Sequence, residues 1–351
     1  MSNPKRIIIP TGYMGSGSSV ISDLMSEIEG VDTKSGTFEF VFLHCPNGVF
    51  DLEDKLLIGN NAVRSDEAIH SFESTMKQLY DKKYWWVGHY KKHIGEDFYK
   101  ITKEYIDDIT EVESEYFWYH QENTNFKMFI KLCFNKALKL LTFNKYTPKK
   151  VLAYSPMKLS FIEPDRFYEV SKKYIYSLLN LTAYSKGSIL FDQLLLPFNL
   201  FRFEKYFNDD AFVFVIERDP RDVFISNKYY WSKTNGVVPY PTDVNAYCKY
   251  YKSLRKMEKK ADSDRICRIK FEDLIYNYDQ TVDMIFEKLG WDKATHTAKK
   301  TKFNPDKSIF NTQLYLKDAK FKEESDIIAR ELSEYLYDFP YAIEHNKNEV
   351  F

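Results

Sequence analysis

Eight residues near the amino terminus, Gly12-Tyr-Met-Gly-Ser-Gly-Ser-Ser19, carry the spacing of an anion-holding loop. Gly12, Gly17 and Ser19 fit the phosphate-loop pattern G-x-x-x-x-G-K-[ST], but Ser18 stands where the lysine belongs. Such a loop aims backbone N–H groups at an anion and sets it on a helix N-terminus. Without the lysine, it lacks the ammonium that neutralises the β- and γ-phosphates of a nucleoside triphosphate. The implied ligand is a phosphate-like group that is not part of ATP.

A second anion receiver follows the apolar run 212–216. In Glu217-Arg-Asp-Pro-Arg-Asp-Val-Phe-Ile-Ser226, Arg218 falls at a strand's carboxyl end and Pro220 suits a helix start. Ser226 then lies about two turns into that helix. An arginine fork with a hydroxyl beside it suits a terminal phosphate. Taken alone, an ion pair between Arg218 and Asp222 at the helix start explains the same residues equally well.

These side chains need a scaffold, and hydrophobic periodicity supplies it. A short apolar strand leads into the loop, and Val20, Ile21, Leu24, Met25 and Ile28 recur at helical spacing until Gly30 stops the helix. Residues 37–43 read as a strand, with a turn at Pro46-Asn47-Gly48. Further strands are predicted at 150–154, 188–191, 212–216 and 265–271. Helices at 164–181, 222–231, 244–261 and 278–289 separate them, and a last helix is predicted at 323–335. The alternation predicts an α/β fold of the phosphate-loop type, a mainly parallel sheet flanked by helices with its ligand at the carboxyl ends of the strands. Residues 60–147 break the pattern with polar helices rich in aromatics, including Trp85, Trp86, Tyr116, Phe117, Trp118 and Tyr119. They read as a helical insertion in one domain spanning 1–351, placed to cap an acceptor.

Composition narrows the function. A net charge of -1 argues against a general nucleic-acid binder, and the 17% aromatic content suits an aromatic-lined acceptor cleft. Cys45, Cys133, Cys248 and Cys267 form no C-x-x-C pair, so neither a zinc site nor a disulfide framework is expected. No apolar run approaches the roughly 20 residues that span a bilayer. The first strand begins too early for a signal peptide, and a cytoplasmic location is expected.

Together the two motifs resemble the sulfotransferases that use 3′-phosphoadenosine 5′-phosphosulfate (PAPS). That family has a [KR]-[ST]-G-[ST]-[ST] loop, matched here by Ser16-Gly-Ser-Ser19, and a strand ending in R-[DN]-P-[RK]-D, matched by Arg218-Asp-Pro-Arg-Asp222. The family's serine eight residues after the arginine is Ser226. Ile269-Lys-Phe-Glu-Asp-Leu274 resembles its later [YF]-E-D-L segment, and Phe303-Asn-Pro-Asp-Lys-Ser-Ile-Phe-Asn311 the segment that folds over the nucleotide in some members.

The resemblance implies that Gly15, Ser16, Gly17, Ser18 and Ser19 hold the 5′ end of the donor, and that Arg218 and Ser226 fix its 3′-phosphate. Gly15 stands where many members place a Lys or Arg against the transferring group. Lys158 is a candidate substitute, with Arg64 and Lys270 behind it. A sulfuryl group would pass from PAPS, the co-substrate, to a hydroxyl or amine, without an expected metal. For the general base the candidates are Asp192, Glu39 and His44, in that order. The acceptor class stays open between glycans, glycolipids and small lipids. Two rivals remain at this point. An ATP-dependent kinase would use Asp192 to hold Mg²⁺, and a nucleotide-binding protein without turnover would explain Gly15.

Overall fold

A computed structural model of the chain describes residues 3–33, 38–84, 87–114, 126–145, 157–185, 187–235, 238–261 and 263–345. Its contacts divide it into two units, residues 1–41 with 182–351, and residues 42–181.

The first unit is built on β1 (Ile7–Gly12), β2 (Val31–Asp32), β3 (Ser188–Leu190), β4 (Ala211–Glu217) and β5 (Ile266–Lys270). Ile7, Ile8 and Ile9 are wholly buried β-branched residues, the pattern of an interior parallel strand. The strand order is β2-β3-β1-β4-β5, and every pair is parallel. Pairing of β1 with β3 stops at Ile8, two residues before Pro10, which has no N–H to donate. Pairing with β4 runs on to Gly12 opposite Ile216, so the carboxyl ends of β1 and β4 are level. That register starts the glycine loop and Arg218 from adjacent strand ends.

The α/β reading is therefore borne out, with strands and helices in the expected alternation. Helices α1 (Ser19–Ser26) and α4 (Tyr278–Leu289) pack Ile21, Leu24, Ile285 and Phe286 against Ile8, Phe214, Ile216 and Ile269 of the sheet. Helices α2 (Pro220–Ile225), α3 (Val244–Lys256) and α5 (Ala319–Glu331) share a second cluster through Phe224, Tyr247, Leu314 and Ile328.

Three expectations need correction. Residues 38–43 form no strand. Phe40 is buried edge-on against Phe191, and its N–H bonds the Asp192 carbonyl at 3.0 Å, which pins an irregular segment. The last helix starts at Ala319 and not at 323, because the Asp318 side chain caps it by accepting the Lys320 N–H at 2.8 Å. The helix expected at 222–231 begins at Pro220 and opens at Ser226–Trp231 into a wide π-type turn. The strand expected at 150–154 and the aromatics Trp85, Trp86, Tyr116, Phe117, Trp118 and Tyr119 lie outside the described residues.

Residues 42–181 are mainly helical, with Val49–Leu57, Ala62–Asp81, Phe98–Ile109, Phe126–Leu141 and Pro164–Asn180 as the main elements. Several aromatics here are core. The Tyr105 and Tyr174 rings stack at 4.5 Å, and their buried hydroxyls bond Ser171 (2.8 Å) and Thr102 (3.0 Å).

One buried carboxylate ties the end of α1 to the later chain. Glu27 accepts from His296 Nε2 (2.8 Å) and from the N–H groups of Lys300 (3.0 Å), Lys302 (2.8 Å) and Phe303 (2.8 Å). Glu27→Ala takes the acceptor from the buried Phe303 N–H and from three part-buried donors, and a loss of about 3–5 kcal/mol is expected. A denaturant midpoint measured at unchanged m checks this; a shift below about 1 kcal/mol would mean that water takes over those donors.

Candidate functional site

The loop leaves β1 at Gly12 and enters α1 at Ser19. Ser16 N–H closes a turn on the Tyr13 carbonyl at 2.8 Å, and Gly15 and Gly17 take φ values of +85° and +83°. Both angles lie in the left-handed region, where a side chain costs about 1–2 kcal/mol. Space is short as well. A Cβ on Gly15 would sit 3.3 Å from Val223 Cγ1 and 3.5 Å from the Trp231 ring, and one on Gly17 would sit 3.1 Å from Phe271. At Gly15, where the resemblance leads to the expectation of a cation, a side chain would be crowded by Val223 and Trp231. The wide turn that begins at Ser226 and ends at Trp231 belongs to the same neighbourhood.

Arg218 is buried and lies over the Phe271 ring, 5.1 Å from its centroid. Its Nη1 donates to the Gly15 carbonyl at 3.2 Å and its Nη2 to the Asn311 carbonyl. One arginine therefore joins the glycine loop, the end of β4 and the segment around Asn311. The simpler pairing with Asp222 is not what forms. Asp222 accepts the N–H groups of Gln313 (2.8 Å) and Leu314 (2.7 Å), while Asp219 pairs with Arg221 at 2.7 Å. Burial, with the Asp219 charge next, pushes Asp222 up, and burial pushes Glu272 up to about 8.

Ser16 Oγ, Ser226 Oγ and Arg218 Nε are among the buried polar atoms here that have no partner among the described residues. Buried donors are rarely left unsatisfied. They fit a ligand that carries phosphate or sulfate oxygens. At the start of α1 the Val20 and Ile21 N–H groups already bond the Gly17 and Ser18 carbonyls at 3.0 and 3.1 Å, so an anion there would be met by the N–H groups that precede them.

Beside the loop, two residues beyond β3, stands Asp192. Its Oδ1 is buried without a hydrogen bond, and burial first, then the Glu39 charge, pushes its carboxyl up to about 7. Gln193, at φ +56°, donates from Nε2 to Ser18 Oγ at 3.1 Å and accepts from Thr11 Oγ1 at 3.4 Å. The fold thus brings Asp192, Glu39, the loop and Arg218 into one neighbourhood of the first unit. His44 belongs to the other unit, half-buried in a turn at 42–44. The other cation candidates are engaged elsewhere. In that second unit Lys158 Nζ lies 3.9 Å from Asp107, and Arg64 donates to the Lys55 and Asp54 carbonyls. Lys270 pairs with Glu217 at 3.1 Å.

Sequence reasoning missed Gln193 as a link to the loop, although it follows directly after a predicted strand. It also missed a charged network around Tyr13. The Tyr13 hydroxyl donates to Glu258, Arg255 covers its ring at 4.1 Å, and Arg255 and Arg268 both reach Glu217, at 2.9 and 3.2 Å. Glu217, Arg255, Glu258 and Arg268 border a cleft of about 530 Å³ that Lys259, Lys260 and Tyr335 also line. Only the alternation of β5, which leaves Arg268 exposed between buried Cys267 and Ile269, signals this network in the sequence.

A parallel sheet with a glycine loop leading from one strand into a helix, and an arginine at the end of the adjacent strand, makes an α/β fold of the phosphate-loop type. Residues 16–295 match the model of a family described as the sulfotransferase family, and the chain belongs to that family. It is a sulfotransferase. Among solved structures, the chain is similar to the sulfotransferase domain from the curacin biosynthetic pathway at 12% identity, over 97% of this chain and 100% of that one, with a TM-score of 0.36. It is also similar to sulfotransferase STF9 from Mycobacterium avium, at 14% identity over 99% and 79% of the two chains, TM-score 0.36. A retinol dehydratase solved with androsterone and the inactive cofactor PAP shows 12% identity over 96% and 84%, TM-score 0.32. Comparison with curated proteins finds no match.

Proposed function

We propose that the protein transfers a sulfuryl group from PAPS to a hydroxyl or amine of a glycan, glycolipid or small lipid. The observation that carries this reading is the direct bond between Arg218 and the Gly15 carbonyl, with the unpartnered Ser16 and Ser226 hydroxyls buried beside these two elements. A donor with anionic groups at both ends of an adenosine would satisfy both. The loop, residues 15–19, would hold the 5′ end, and Arg218 with Ser226 would take the 3′-phosphate and discriminate against ATP.

In the transfer, a bond forms between sulfur and the acceptor atom while the bond from sulfur to the 5′-phosphate oxygen breaks. The proton of the acceptor hydroxyl passes to the Asp192 carboxylate, and adenosine 3′,5′-bisphosphate leaves. By analogy with phosphoryl transfer, positioning and charge stabilisation supply most of the rate. Acceptor recognition is assigned to the helical insertion, residues 60–147.

Labelled PAPS offered with a panel of hydroxylated and amino acceptors, with and without a chelator, tests the proposal. Label should pass to at least one acceptor and survive the chelator. Thermal stabilisation by adenosine 3′,5′-bisphosphate should exceed that by ATP with Mg²⁺, because a ligand raises stability as RT ln(1 + [L]/Kd). Greater stabilisation by ATP with Mg²⁺ would return the kinase reading.

A further inference from the structure

We propose that the helix Phe126–Leu141 is a docking element that lies flat on an anionic membrane surface. It belongs to the second unit, which contains none of the residues assigned above to donor binding, and its test needs no sulfuryl donor. Phe126, Phe129, Ile130, Phe134, Leu140 and Leu141 are each between 52% and 77% exposed, far more than large apolar side chains of a packed helix. At about 100° per residue they fall in one stripe roughly 140° wide, with Cys133 and Ala137 inside it. On the opposite side Asn135 is buried and Leu132 and Leu138 are half-buried, with Lys131 and Lys139 exposed between them.

Charge identifies the occupant. Residues 126–145 contain five lysines and no aspartate or glutamate. Lys127 and Lys136 border the stripe on its two sides, and Lys131 and Lys139 follow them round the helix. Apolar residues flanked by lysines match a lipid surface, where the stripe enters the acyl boundary and the ammonium groups meet anionic headgroups. Two copies joined through this stripe would bring like charges together, which disfavours self-association. Sixteen residues make a helix only about 24 Å long, and with four lysines it cannot span a bilayer. Among the described residues no helix is long and apolar enough to cross a membrane. Docked in this way, the protein would meet acceptors that are themselves anchored in lipid.

The test uses the full chain with vesicles of phosphatidylcholine alone or with about one third phosphatidylglycerol. The protein should sediment with the anionic vesicles, weakly with the neutral ones, and less as salt rises. Cys133 is the exposed one of four cysteines, so a polarity-sensitive fluorophore on it should shift to the blue on binding. The double variant Lys131→Glu with Lys136→Glu should lose at least about twentyfold in partitioning, and Phe129→Ser with Phe134→Ser should lose binding as well. All four positions are exposed or border solvent, so circular dichroism and melting temperature should be unchanged. Absence from anionic vesicles at low salt, or variants that bind like the parent, would overturn the proposal. So would self-association abolished by Phe134→Ser, which gives the stripe to a second copy.

Discussion

Arg218→Ala should weaken binding of adenosine 3′,5′-bisphosphate by about 2–5 kcal/mol, or roughly 30-fold to several thousand-fold in Kd. The magnitude follows from burial. The guanidinium sits over Phe271 with little solvent, its Nε unpartnered, so a charge-assisted bond formed there is not shared with water. Arg218 also bonds the Gly15 and Asn311 carbonyls, and its loss will loosen the apo protein to some degree. Affinity alone would therefore not separate a binding role from a structural one. The separating measurement is the ratio of affinities for adenosine 3′,5′-bisphosphate and adenosine 5′-monophosphate, by calorimetry on both proteins. The parent should prefer the bisphosphate, and the variant should lose that preference. A ratio left intact would place the 3′-phosphate elsewhere. Arg218→Lys should fall between, since a point charge replaces a fork.

Much of this site was legible because it rests on short-range rules. A strand, a glycine loop and a helix start are local features, and so is an arginine at a strand end followed by proline. The alternation of elements fixed the parallel sheet, and the sheet's register alone then put Gly12 opposite Ile216 and the loop beside Arg218. What stayed hidden was non-local or irregular. Residues 38–43 have the apolar composition of a strand, but Phe40 is held by one bond to Asp192 and by the Phe191 ring, contacts about 150 residues away in sequence that no window contains. The Tyr13 network joins residues from the loop, α3, β4 and β5, each an ordinary surface charge on its own. Gly15 is the instructive case. Its departure from the family pattern was visible in the sequence, but its reason, a left-handed turn packed against Val223 and Trp231, needed coordinates.

Asp192→Asn should lower kcat by about 10²–10⁴-fold, the usual worth of a general base, and leave donor affinity unchanged. The pH profile carries the stronger test. Burial and the Glu39 charge push the carboxyl up to about 7, so at pH 6 most of it is protonated and unable to accept the acceptor's proton. The rate should rise with pH, reach half its plateau near 7 and stay flat above. In the asparagine variant that limb should vanish, and in Glu39→Gln, which removes a neighbouring negative charge, it should move to lower pH. Stability should respond with the opposite sign. A carboxyl whose folded pKa lies above its unfolded value favours folding below about pH 4, and that contribution is lost as pH rises through about 7. At pH 8 the ionised side chain is a cost that asparagine does not carry, so the variant should melt no lower than the parent there. A variant that is inactive and also unstable at pH 8 would make Asp192 a structural group and leave the base to another residue. Lost turnover with an intact fold, together with a vanished alkaline-rising limb, fits only a proton acceptor at this position.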